Sequence, residues 1–283
     1  MNKMIKIIKS TLKFLVDYFK SVLDGEDVYL DINGMNELVE ENCALKVEAE
    51  NYEQTISKLQ SENNELIKGL EVINEELEID RKAEYWNSKW TKGNVTYKAR
   101  EDKIYFDVRN FITVPDCVLK NVIYANKLLC ESHEDTVYRI MCWVQDNVKY
   151  VTDSDQFGFK EHWDFAAEVL KRKQADCEGM TNLIVSMCIE AGVPPYRIKN
   201  CCGNVKYKNG TVAGGHSYPI FLRDDDEWVD LDPCFYNTKN LVTERKPVKD
   251  NNIYSTIWFT FNNEYAFTNS DLEIKPGEEP NEI

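Results

Sequence analysis

The sequence has no C-x-x-C pair, only three histidines, no basic stripe beyond its first twenty residues, and no apolar run unbroken for the length of a membrane span. Each absence removes a class of function. Nine cysteines without metal-ligand spacing suit neither a zinc module nor a disulfide framework, and fit a reducing compartment better. Cys177, Cys188, Cys201, Cys202, Cys234 and His216 could offer ligands, but adjacent Cys201 and Cys202 on a strand would face opposite ways, so no metal site is expected. A net charge of −15 leaves no surface to neutralise nucleic-acid phosphates. GTVAGG lacks the lysine and following helix of a phosphate loop, so no cofactor is expected either. Near the N-terminus Lys9, Lys13 and Asp17 interrupt the apolar residues and no small-residue cleavage site follows, which argues against a signal peptide or a membrane span.

What is present is an apolar content of 43%, enough for one sizeable core plus an extension. Residues 1–25 read as an amphipathic helix: Met4, Ile8, Leu12, Leu15, Phe19 and Val22 make one stripe, with most lysines elsewhere. Such a helix packs on another protein surface or rests on a membrane surface. Residues 35–80 carry heptads. Leu38, Leu45, Tyr52, Leu59, Leu66 and Ile73 are seven apart, with Asn42, Ala49, Ile56, Asn63, Leu70 and Leu77 four residues after them, filling d and a positions of a coiled coil. From 38 to 77 a helix is about 60 Å long, too long to hide against one small domain. Asn42 and Asn63 at a positions suit a parallel pair in fixed register, so a homo-oligomer, preferably a dimer, is expected.

A folded domain is expected over 82–270, ahead of an acidic flexible tail at 271–283. KIYFDVRNFITV alternates and reads as a strand up to Pro115. Helical periodicity follows. One helix opens at SHED, where Ser132 caps and Asp135 completes a capping box, and a short one fits DFAAEVLKRK.

Cys177 opens a helical run, CEGMTNLIVSMCIEAGVPP, closed by Gly192 and Pro194. A thiol at a helix N-terminus sees unpaired N–H groups and the positive end of the dipole, which stabilise a thiolate and supply oxyanion donors. Cys188, on the apolar face, reads as inert core. A nucleophile needs a base. His133 and His162 have ordinary places at helix starts or loops, whereas His216 enters the extended run HSYPIFL, which turns at RDDDE into the strand WVDLDP. A hairpin turning about Asp224 puts His216 opposite Asp232, give or take a residue, with Asp230 as the alternative acid if the register slips. His216 would take the thiol proton and return it to a leaving amine, Asp232 would hold the ring, and Cys177 would form a thioester. Trp163 is either core or a wall of the acyl pocket.

These stretches carry a resemblance. DCEGMTNLIVSMCIEAGVPPYRI, GGHSYPIFL and EWVDLDP resemble the three motifs of the transglutaminase-like superfamily, over roughly residues 133 to 236. The resemblance implies an α+β, papain-like fold, with a cysteine-bearing helix on an antiparallel sheet and Cys177, His216 and Asp232 as triad. YWNSKWTKGNVTYKARED to VRNFITV is similar to transglutaminase-like proteins of bacteriophages and prophages. Two departures stand out: DCEG where such relatives often have DCED, and SYPIF in the histidine strand, where Pro219 suggests an edge strand or bulge.

Two functions are consistent with this reading. One is a cysteine hydrolase or acyltransferase acting on protein or peptide amides from a coiled-coil stalk; the other is a non-catalytic structural or adaptor protein, such as a phage particle component. The location implied is the cytoplasm of a bacterial host or a virion.

Overall fold

A computed structural model describes residues 2–24, 32–97, 105–235 and 238–268. The acidic tail expected at 271–283 lies outside them. The chain divides into two compact units, Met1–Glu76 and Leu77–Ile283.

In the first unit the amphipathic stretch forms helix α1 (Asn2–Leu23), with Leu12, Leu15 and Phe19 exposed. The heptads lie in helix α2 (Ile32–Ser88), which overruns the predicted 35–80 at both ends. Tyr52, Ile56, Leu59, Leu66, Leu70 and Ile73 are exposed along it, so its apolar seam is bare in the single chain. Among the described residues no helix is long and apolar enough to cross a membrane.

The last turns of α2 belong to the second unit and have new partners there. Trp86 meets Trp228 edge-on with ring centroids 6.3 Å apart, and Trp90 meets it at 5.9 Å. Aromatic packing thus continues the helix past the point where the heptads stop. Strands β1 (Thr91–Lys92), β2 (Thr96–Tyr97) and β3 (Phe106–Asp107) follow. The predicted strand KIYFDVRNFITV is mostly something else. Among its described residues, 105–114, only Phe106–Asp107 pairs, with β2; then Asp107 accepts from the Arg109 N–H at 3.0 Å and turns Val108–Phe111 into a 3-10 helix. A local side-chain bond to the backbone outcompetes the strand pattern.

Helices α3 (Cys117–Ala125) and α4 (His133–Asn147) come next. Ser132 caps α4 as expected: its Oγ accepts from the Asp135 N–H at 3.0 Å and donates to Asp135 Oδ2 at 2.8 Å. Then come β4 (Lys149–Tyr150), α5 (Asp153–Phe157), α6 (Ala166–Arg172), β5 (Gln174–Ala175) and α7 (Cys177–Glu190). After α7 the chain is mainly sheet: β6 (Ile198–Lys206), β7 (Val212–Leu222), β8 (Trp228–Asp230), β9 (Tyr254–Phe261) and β10 (Ala266–Thr268). Six strands form one antiparallel sheet in the order β1-β10-β9-β6-β7-β8.

α7 is the centre of the domain, packed between that sheet and helices α3, α4 and α6. Every residue from Glu178 to Cys188 is buried, as for a helix enclosed on all sides. Its polar residues are satisfied inside: Thr181 Oγ1 donates to the Ser217 carbonyl at 3.1 Å, and Asn182 bonds both the Asp164 carbonyl and the Asn200 amide. Cys202 on β6 joins the core beneath α7 while neighbouring Cys201 joins a separate cluster, the alternation expected of a strand.

Two details of the hairpin differ from expectation. β7 pairs β8 as Ile220↔Asp230, Phe221↔Val229 and Leu222↔Trp228, so the turn centres on Asp225 rather than Asp224. A shift of two residues keeps every side chain on its face. Pro219 marks neither an edge strand nor a bulge: β7 lies inside the sheet, with Pro219 paired to Asn200. Its carbonyl accepts from the Leu231 N–H at 2.8 Å just past the end of β8, so its missing N–H falls where the ladder stops.

Candidate functional site

Cys177 is the first residue of α7, and it follows directly on the parallel pair β4–β5. The chain turns from strand to helix at the thiol. Gly179 makes this turn possible: a Cβ there would meet the Ala175 Cβ at 2.8 Å. An aspartate, as in the DCED pattern, has no room in this packing. Cys177 is half-buried. Its Sγ donates to Glu178 Oε2 at 3.1 Å rather than to His216. Burial pushes the thiol well above its ordinary pKa, and the neighbouring carboxylates of Glu178 and Asp176 push it further. The thiolate expected from the helix N-terminus is therefore opposed by the acidic residues on either side of it.

His216 and Asp232 are brought together as expected. His216 Nε2 and Asp232 Oδ2 are 2.8 Å apart, and Asp232 is fully buried. Gly203, opposite His216 on β6, puts no side chain beside the imidazole. The β9 backbone approaches there so closely that a Cβ at Gly203 would lie 2.1 Å from the Thr256 carbonyl oxygen. Phe235 and Tyr218 flank the ring, with centroids 5.7 and 5.9 Å away. Asp232 is past the end of β8, and its Oδ1 accepts from the N–H groups of Cys234 at 2.8 Å and Phe235 at 3.1 Å. Tyr254 adds a hydroxyl 3.0 Å from Oδ2. Burial alone would raise this carboxyl; the His216 bond and charge, with the two backbone donors, outweigh it and hold its pKa below the usual range.

The alternative acid is engaged elsewhere. Asp230 Oδ1 accepts from Arg245 Nη1 at 3.1 Å. Two links join the N-terminal turns of α7 to this pair: Thr181 bonds the carbonyl next to His216, and Met180 Sδ lies 3.6 Å from Cys234 Sγ, two residues from Asp232. The other histidines have the ordinary partners expected, His133 with Arg197 and His162 with Asp164. Cys188 is fully buried core. Trp163 is core too, stacked on Tyr97 and Phe261.

Sequence reasoning missed the acidic surroundings of the thiol. Asp153, Asp176 and Glu178 are all raised by burial first, Asp176 to about 8. It also missed Tyr150, whose phenol burial and the Cys177 and Asp176 charges push up. The adjacent acids in DCE were a readable signal for the first. Tyr254 had none, because its contact with Asp232 depends on β9 returning to pair with β6 inside the sheet.

Residues 124–233 match the family model of the transglutaminase-like superfamily. No curated protein matches the chain. Among solved structures, LapG of Legionella pneumophila is similar at 15% identity over 53% of this chain and 76% of that one, with a TM-score of 0.40. A candidate cysteine protease from Cytophaga hutchinsonii is similar at 16% identity over 45% and 42%, with a TM-score of 0.33. A structure described as a TGase is similar at 16% identity over 47% and 34%, with a TM-score of 0.30.

Proposed function

We propose that the domain breaks or exchanges amide bonds of a protein or peptide through an acyl-Cys177 intermediate, with His216 as general base and Asp232 orienting it. The observation that carries this reading is the buried 2.8 Å His216–Asp232 bond. With Nε2 held by Asp232, Nδ1 is the ring nitrogen left to take the thiol proton. The sulfur then adds to the amide carbonyl, and N–H groups of the first turn of α7 receive the developing oxyanion. Nδ1–H protonates the departing amine, leaving a thioester. Water, activated by the same nitrogen, completes hydrolysis. Hydrolysis is preferred to cross-linking because nothing in the sequence specifies an amine acceptor.

One observation supports a second reading. The Cys177 thiol is bonded to Glu178 and held protonated, as suits a binding module that uses the fold without catalysis. The heptads of α2 support pairing of two chains as a parallel coiled coil, which would present the domain on a stalk under either reading. The exposed stripe of α1 supports contact with a protein or membrane surface. A bacterial cytoplasmic or phage-particle location rests on the sequence resemblance.

The two readings separate by mapping iodoacetamide labelling of all nine cysteines. On the catalytic reading Cys177 labels selectively near neutral pH, and His216→Ala slows it by about tenfold or more while leaving the other thiols unchanged. Equal Cys177 rates in the two proteins would leave the binding-module reading standing.

A further inference from the structure

Helix α1 is positively charged in a chain whose net charge is −15. Its charged residues are Lys3, Lys6, Lys9, Lys13 and Lys20, with Asp17 as the single acid. Set out at about 100° per residue, the apolar positions from Met4 to Leu23 fill one continuous arc of roughly 200°, broken only by Thr11. Every charged residue falls in the remaining arc. Where side chains are described, the apolar face is open: Leu12 and Phe19 are 57% and 60% exposed. Lys13 and Lys20 on the other face are exposed as well. A face this apolar is costly to leave in water, so something covers it.

The width of the arc and the charge beside it decide between occupants. A helix packed on a protein typically buries a stripe of about 100°, so a protein surface would leave the flanks of this arc wet. A second copy of α1 would set lysine against lysine along the rim. Among the described residues no helix is long and apolar enough to cross a bilayer, and the lysines and Asp17 interrupt this one. A helix lying in the plane of a bilayer instead sinks its apolar face by about 5–10 Å into the boundary between headgroups and acyl chains, which covers a wide arc. Lysines at the rim then extend their ammonium groups to the headgroups, and each adds about fivefold to binding when the lipids are anionic. Repulsion of the acidic remainder of the chain is screened beyond about 8 Å at physiological ionic strength. We propose that α1 binds the surface of an anionic lipid bilayer, with its apolar arc inward and its lysines on the headgroups, and so holds the chain at a membrane. A parallel pair through α2 would carry two copies of α1 to one surface, and two linked anchors bind more tightly than either alone. The membrane site stands whether or not Cys177 is a nucleophile.

Flotation of the full-length chain tests this, with vesicles of phosphatidylcholine alone and of phosphatidylcholine and phosphatidylglycerol in equal parts. The chain is expected to float with the mixed vesicles at low salt, to bind them about tenfold or more tighter than phosphatidylcholine alone, and to be released as salt rises. Lys13→Gln with Lys20→Gln should weaken binding to the mixed vesicles by about tenfold or more. Phe19→Glu sets a charge near the middle of the apolar arc and should abolish flotation; glutamate is a good helix former, so the helix itself is kept. Equal binding of the two vesicle types overturns the proposal, because the lysines then have no part in it. Flotation of Phe19→Glu equal to that of the wild type also overturns it, because the contact then lies elsewhere in the chain. Failure to float with either vesicle overturns it too, and a lower sedimenting mass for Phe19→Glu would then assign the arc to a second copy.

Discussion

Lys199 is fully buried on β6, where its ammonium donates to the Tyr196 carbonyl at 2.9 Å and lies 4.4 Å from the centre of the Trp228 ring. Among the described residues no carboxylate is bonded to it, and burial lowers its pKa to about 7. An unfolded chain holds that proton up to about pH 10.4, so between about 7 and 10.4 the unfolded state carries one proton more. Stability therefore rises with pH across that window and is flat, with respect to this group, below it. The full effect is about 5 kcal/mol at most. Lys199→Met should remove the rise, which denaturant unfolding from pH 7 to 9.5 in both proteins would show; an unchanged slope would mean that the ammonium is solvated after all. Asp230 and Asp232 make a second test at this scale. Asp232→Asn keeps two backbone donors on one oxygen but loses the charge facing His216, and should slow Cys177 labelling by about a hundredfold. Asp230→Asn strips Arg245 of its buried partner, and should cost about 3 kcal/mol in stability while leaving that labelling intact. Equal labelling in the two variants would remove Asp232 from its assigned role. At this scale Cys177, His216 and Asp232 stood out as candidates by residue type and local pattern, and of these the structure pairs His216 with Asp232. Glu178 as the thiol's partner was not legible, because it required knowing that α7 is enclosed on every side.

Among elements, helices were read more faithfully than strands. The caps and periodicity of α4 and α7 are local, so Ser132 and Cys177 mark their starts in the chain itself. Strand pairing is not local. The hairpin shift from Asp224 to Asp225 changed neither face nor partner, because a two-residue slip preserves alternation. KIYFDVRNFITV failed for the opposite reason: its alternation was real, but Asp107 captured its own backbone first. The turn into α7 gives the prediction that belongs here. Gly179→Asp restores the DCED pattern yet drives a side chain into Ala175, with Asp164 and Val169 at 3.4 Å behind. It should destabilise the domain by about 1–3 kcal/mol, the range for an overpacked core, and lower the unfolding midpoint accordingly. An unchanged midpoint would show that the strand-to-helix turn relaxes and that glycine is not required there.

On the scale of the whole chain, the open question is what covers α2. Its seam from Tyr52 to Ile73 is apolar at nearly every heptad position and exposed throughout. A lone helix leaving that much apolar surface in water forgoes on the order of 1.5–3 kcal/mol for each large side chain that a partner would cover. A second copy would supply the matching seam, and Asn42 and Asn63 could meet their own mates only in a parallel, in-register pair. Sedimentation of the full chain should therefore report a dimer. Leu59→Lys with Leu66→Lys places four like charges into the seam of such a pair and should yield monomers, with the second unit still folded by its near-ultraviolet dichroism. Asn63→Leu argues the register in the other direction: without its buried amide the pair should grow more stable and mix in higher oligomers, because nothing then penalises a third helix. If the double-lysine chain sediments as the wild type does, the seam is covered by something other than a second copy, and α2 is a docking rod for a different partner.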